Sequence, residues 1–167
     1  MAHTLDLWIG IDAESLPANV TGTAPSSNTF PIGVPRQIRN IRRIEWLGYQ
    51  TMGAFTGASE GLIAHVRNLP MGSFMFIKNR YQGSTVTFTE VPNGLPLLHV
   101  NGSTESPCLY PVPIVLHQEA PDSPGVVVNM EQLSFFLSTT EGVVTPGDYG
   151  VAGAPKIYLF LRFFTNN

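Results

Sequence analysis

Apolar and polar residues alternate along much of this chain, and the alternation stops at clusters of glycine, proline, asparagine and serine. Residues 4–12 place Leu5, Leu7 and Ile9 on one side of an extended strand and Asp6 and Trp8 on the other. Residues 13–34 are rich in Pro, Ser, Thr, Asn and Gly and read as a long loop. The stretch that follows admits two periods. Ile38, Ile41 and Ile44 lie three apart, which fits a short basic helix after Pro35, whereas Ile44 to Tyr49 fits a strand. A strand over roughly Ile38 to Tyr49 is the preferred reading. After a small, glycine-rich loop at 52–61, strands are predicted at 62–67, 72–77, 84–91, 95–100 and 108–118. A polar turn at 78–83, the Pro92-Asn93-Gly94 turn and a loop at 120–125 separate them. Prolines inside the 95–100 and 108–118 strands place both at sheet edges or bulges.

The last forty residues organise the rest. Residues 126–137 read as one long strand and 138–155 as a turn-rich connection holding Gly142, Pro146, Gly147, Gly150 and Gly153. Residues 156–164 read as the closing strand. Leu133, Phe135, Leu137, Ile157, Leu159, Leu161 and Phe163 are assigned to the core. Tyr158, Phe160, Arg162 and Phe164 point the other way, so both faces of the closing strand are largely apolar. A strand with one solvated face would alternate. Something must therefore cover the second face, and Tyr158, Phe160 and Phe164 are predicted to form an oligomer interface. The alternative is that the 13–34 or 138–155 loop folds over them. Eight or nine strands without a clear helix predict an all-β, antiparallel β-sandwich or barrel in a single domain, 1–167.

Composition sharpens this picture. Charged residues make up 13% of the 167 residues and apolar residues 43%. That is about half the usual charged share, and with a normal apolar share it argues against disorder and for a surface partly hidden in an assembly. A net charge of −3 predicts no general grip on nucleic acid. The single cysteine, Cys108, rules out an intrachain disulfide and reads as a small buried hydrophobe. The start of the chain lacks the basic and apolar regions of a signal peptide, and no apolar run approaches the roughly 18 residues of a membrane helix. A soluble protein without a membrane span is expected. Asn19-Val20-Thr21 and Asn101-Gly102-Ser103 match glycosylation sequons and are read as chance.

Candidate chemistry is sparse. His3, His65, His99 and His117 form no close pair, so no metal site or other cofactor is predicted. Gly57-Ala58-Ser59-Glu60-Gly61 has the look of a hydrolase elbow but lies in an all-β pattern and reads as loop. The acidic residues are scattered, and nothing singles out a catalytic pair. No enzymatic activity is predicted. One charge concentration stands out: Arg36, Arg39, Arg42 and Arg43 hold four of the nine Lys and Arg residues. A solvated strand face, contact with an acidic neighbouring subunit and contact with nucleic acid are the three readings open for it. The cluster is predicted to contact a partner.

Leu133-Ser134-Phe135-Phe136-Leu137, then Thr140-Glu141-Gly142, then Ile157 to Phe163 resembles the closing strand pair of viral single jelly-roll proteins. In pentons and minor capsid proteins of double-stranded DNA viruses, the penultimate strand often runs into an acidic-glycine turn before a final apolar strand. The resemblance rests on about forty residues, and the strand count extends it loosely over the chain. It implies a jelly roll of about eight strands that self-associates, as a pentamer or trimer, with its own kind and with other capsid proteins in a virion. The family carries no catalytic residues to transfer. The other reading is a ligand- or receptor-binding sandwich, such as a carbohydrate-binding module or trimeric spike head. Its aromatic platform would draw on Trp8, Trp46, Tyr49, Tyr81 and Tyr110.

Overall fold

The computed structural model describes residues 2–12, 36–52, 62–78, 87–97, 108–139, 142–143 and 156–166. Strands dominate them: β1 (Ala2–Asp12), β2 (Gln37–Met52), β3 (Leu62–Arg67), β4 (Ser73–Lys78), β5 (Thr87–Pro92), β6 (Gly94–Leu97), β7 (Cys108–Gln118), β8 (Val126–Asn129), β9 (Ser134–Thr139), β10 (Gly142–Val143) and β11 (Lys156–Asn166). One sheet runs β1-β11-β2-β7, with β8 also on β2; a second runs β10-β9-β3-β6; β4 and β5 form a hairpin. Every pairing is antiparallel. The buried core takes Leu7, Ile9, Ile44, Trp46, Leu159 and Phe163 from the first sheet and Ala64, Val66 and Leu95 from the second. The two sheets are therefore the layers of an all-β antiparallel sandwich.

The pairing is nested. β1 joins β11, β2 joins β7 and β3 joins β6, so each pair lies inside the previous one along the chain. The strands with internal prolines sit where a missing N–H is tolerated: among the described residues β6 ends one sheet and β7 ends the other.

The three-residue spacing in β2 has a structural cause other than a helix. Ile38, Ile41 and Ile44 all lie in the core, although residues three apart on a regular strand face opposite ways. Register shifts between Ile38 and Ile41 against β8, and between Arg43 and Ile41 against β11, each reset the alternation. A third shift, opposite Phe160 and Leu161, does the same between Trp46 and Tyr49. Bulges thus keep five large residues of one strand on one face. At the first bulge Asn40 has φ 53°, a conformation asparagine tolerates and alanine resists. Asn40→Ala is expected to cost about 1–2 kcal/mol in urea unfolding and Asn40→Gly close to nothing. Equal losses in both would place the cost in the asparagine side chain.

Residues 126–137 depart from the single strand expected of them. β8 pairs with β2 in one sheet, and β9 pairs with β3 in the other. A single 3-10 turn over Met130–Gln132 makes the crossing. The Asn129 side chain accepts from the Glu131 N–H at 3.1 Å, and the Met130 N–H donates to the Arg36 carbonyl at 2.8 Å. Local side-chain capping outcompetes strand continuation here. Met130 and Leu133 stay buried on either side of the crossing, so the apolar run feeds the core from both sheets. Of the residues assigned to the core in the closing pair, Leu133, Ile157, Leu159, Leu161 and Phe163 are buried; the side chains of Phe135 and Leu137 lie outside the described residues.

Candidate functional site: the outer face of the five-stranded sheet

The register builds rows across this face. Asp6 lies opposite Arg162, Arg162 opposite Glu45, and Glu45 opposite Val115. The neighbouring rows are Trp8, Phe160, Gly48 and Leu109 on one side and Thr4, Phe164, Arg43 and Gln118 on the other. Charged, apolar and mixed rows thus succeed one another across the same strands.

The charges of this row are paired within the chain, Glu45 with Arg43 of the neighbouring row. The Arg162 guanidinium donates to both Asp6 carboxylate oxygens, each at 2.7 Å. Arg43 pairs with Glu45 at 2.5 Å and lies over the Phe164 ring, 5.8 Å from its centroid. The hydrogen bond from Arg162 holds the Asp6 carboxyl below its usual 3.8, against the opposing effect of burial. A depressed carboxylate stabilises the fold above its ordinary pKa, and that contribution is lost as pH falls through the folded value. The Asp6 and Arg162 side chains are 49% and 36% exposed, so solvent screening keeps the contribution of the pair small. Glu119 has the same sign, held down chiefly by a Ser123 hydrogen bond and then by His117. The melting temperature is expected to fall below pH 4, and Asp6→Asn should flatten part of that fall while changing little at pH 7. An identical acid limb in Asp6→Asn would assign the loss to other carboxylates.

The three aromatic residues predicted for an interface are treated differently. Phe160 is only 3% exposed in the single chain, yet it stands outside the inter-sheet core. Trp8 covers it, with ring centroids 4.6 Å apart, and is itself 61% exposed. Tyr158 and Phe164 are half-buried. The intrachain cover expected from a loop thus includes a side chain of the neighbouring strand, and the exposed aromatic of this face is Trp8. Its position was visible in the sequence, out of phase with Leu5, Leu7 and Ile9; its pairing with Phe160 was not.

The four arginines do not form one patch. Arg36 pairs with Glu131 at 3.1 Å. Arg42 donates to the carbonyls of Ala120, at 2.7 Å, and Pro121. Arg43 pairs with Glu45 of the charged row, and Arg39 donates to the Gln37 side chain at 2.9 and 3.3 Å. Three of them therefore engage other segments or the outer face of the same chain. The bulges in β2 disperse a cluster that is continuous in sequence.

His117, Glu119 and Ser123 come together at the end of β7. Glu119 accepts from Ser123 and meets the His117 Nε2 at 2.7 Å, while the Ser123 hydroxyl oxygen accepts from the Gly125 N–H at 3.2 Å. The carboxylate stands between serine and imidazole, an order that ties the turn together and is the reverse of a nucleophile beside its base. Among the described residues no group of three His, Cys, Asp or Glu is placed to hold a metal ion, and no helix is long and apolar enough to cross a membrane.

Two further expectations change. Cys108 is exposed rather than buried. It opens edge strand β7, where the sheet has no outer neighbour among the described residues. The aromatic platform also loses members: Trp46 and Tyr49 are core residues and Tyr110 packs against them, because the β2 bulges turn them inward. Burial raises the Tyr110 hydroxyl pKa, with Tyr49 and Cys108 adding to the shift. Tyr81 lies outside the described residues.

No protein family, curated protein or solved structure matches this chain.

Proposed function

We propose that this chain is a self-associating jelly-roll subunit of a viral particle, of the penton or minor capsid class. The nested strand pairing carries this reading. A jelly roll is a long antiparallel ribbon wrapped into two facing sheets, and first-with-last, β2-with-β7 and β3-with-β6 pairing is what such wrapping produces. Supporting it are the low charge of the chain and the apolar side chains exposed at both edges of one sheet, Trp8 on β1 and Leu109, Val112 and Val115 on β7. These are residues a building block buries against its neighbours. Its work is then mechanical and its partners are copies of itself and other shell proteins.

Size-exclusion chromatography with light scattering, followed by electron microscopy, tests the proposal. A discrete multimer with rotational symmetry is the expected result. A clean monomer at high micromolar concentration would overturn it.

A further inference from the structure

We infer that the outer edge of β1 is a self-pairing surface, where two copies join their five-stranded sheets by setting β1 antiparallel to β1 across a two-fold axis. The inference rests on the self-association reading and names a surface for it.

The two edges of the five-stranded sheet differ. β7 carries Pro111 and Pro113, which offer no N–H, and its register against β2 shifts twice. Prolines and irregularities are the usual guards of an exposed edge. β1 has none. Its 11 residues pair with β11 one by one, from Ala2 opposite Asn166 to Asp12 opposite Lys156, without a shift. It contains no proline, lysine or arginine. Among the described residues no strand lies on its other side. Alternate residues of an antiparallel strand turn their N–H and C=O groups to opposite sides. About half of the β1 main-chain groups therefore look away from β11, along an edge on the order of 35 Å long.

The sequence of β1 suits a second copy of itself. A two-fold axis at Leu7 sets Leu5 opposite the partner's Ile9; an axis at Trp8 sets Leu7 opposite the partner's Ile9. Either way apolar residues of the buried face meet apolar residues, and the core runs on across the junction. Asp6 then faces the partner's Trp8 or the partner's Gly10, never the partner's Asp6. Its charge is already engaged by Arg162 within its own sheet. Trp8, 61% exposed on this strand, comes to lie at or beside the axis. The contact is isologous, so it links copies in pairs and leaves other surfaces to close a ring. Main-chain hydrogen bonds supply the affinity in this mode of recognition.

Hydrogen–deuterium exchange of the full chain, at low and high micromolar concentration with the mass measured at each, tests the pairing. The expected result is a multimer in which alternate β1 amides exchange at least ~10-fold more slowly than in the dilute protein. The β1 amides that face β11 should be slow at both concentrations and act as the internal control. A multimer whose β1 exchange does not depend on concentration would overturn the edge pairing and leave self-association standing. Outward β1 amides already slow in a dilute monomer would overturn it too, since the chain itself would then guard the edge. A monomer at every concentration would overturn both the edge pairing and the functional reading.

Discussion

Replacing Trp46 by alanine is expected to cost about 3–5 kcal/mol, close to the whole stability of a small domain. Trp46 is fully buried, with the Tyr110 ring edge-on at 4.9 Å and Phe74 edge-on at 6.3 Å. It also carries a polar duty. The indole N–H donates to the Gly48 carbonyl at 2.8 Å, two residues along the same strand. That bond spans a bulge, and Gly48 itself is held at φ 151°, where a Cβ would stand 2.0 Å from the Cys108 carbonyl oxygen. Trp46 therefore fills the core and fixes the point at which β7 closes on β2. The two duties separate by substitution. Trp46→Phe keeps an aromatic ring and strips the donor, so it should lose about 1–3 kcal/mol for the orphaned carbonyl. Urea unfolding measures both through the midpoint at constant slope. A loss below about 1 kcal/mol for Trp46→Ala would contradict the placement of the ring in the core.

How much of this could be read from the sequence depended on whether the signal was local. Residues 62–67 and 108–118 were legible to the residue, because alternation and flanking turn residues bound them on both sides. The inward set Ile157, Leu159, Leu161 and Phe163 was legible for the same reason. β2 was legible as a strand only against a rival helix. Its isoleucine spacing encodes bulges, and bulges are decided by the partners β8, β11 and β7, which no local window contains. The break at Met130 was not read from Asn129, Glu131 and Gln132, the polar residues that interrupt the apolar run there; what ends β8 is the Asn129 side chain accepting from the Glu131 N–H. At the candidate site the residue types were visible and the partnerships were not. Arg162 and Asp6 lie at opposite ends of the chain, and only the β1–β11 register makes them a pair. The same register puts Trp8 over Phe160 and so moves the exposed aromatic from the closing strand to the opening one.

That exchange decides what an acidic substitution should do at each ring. Phe160→Asp is expected to destabilise the single chain by about 3–5 kcal/mol or more, whatever its state of assembly. Phe160 is 3% exposed, so the new carboxylate would enter a site closed by Trp8, with Arg162, two residues along the same strand, already bound to Asp6. A buried charge without a partner carries a cost of that size, added to the lost packing of the ring. Trp8→Asp is the contrasting case. Trp8 is 61% exposed, so the charge stays in water and the fold should lose only about 1 kcal/mol or less for the aromatic contact. It should instead weaken self-association, because it sets an acid on the strand proposed to pair with its own copy. Melting temperature and mass, measured together on both variants, separate the two rings. The expected pattern is a large fall in melting temperature for Phe160→Asp, and for Trp8→Asp a folded species of lower mass. The opposite pattern, a stable Phe160→Asp chain of lower mass beside an unaltered Trp8→Asp multimer, would return Phe160 to the boundary between subunits and take Trp8 away from it.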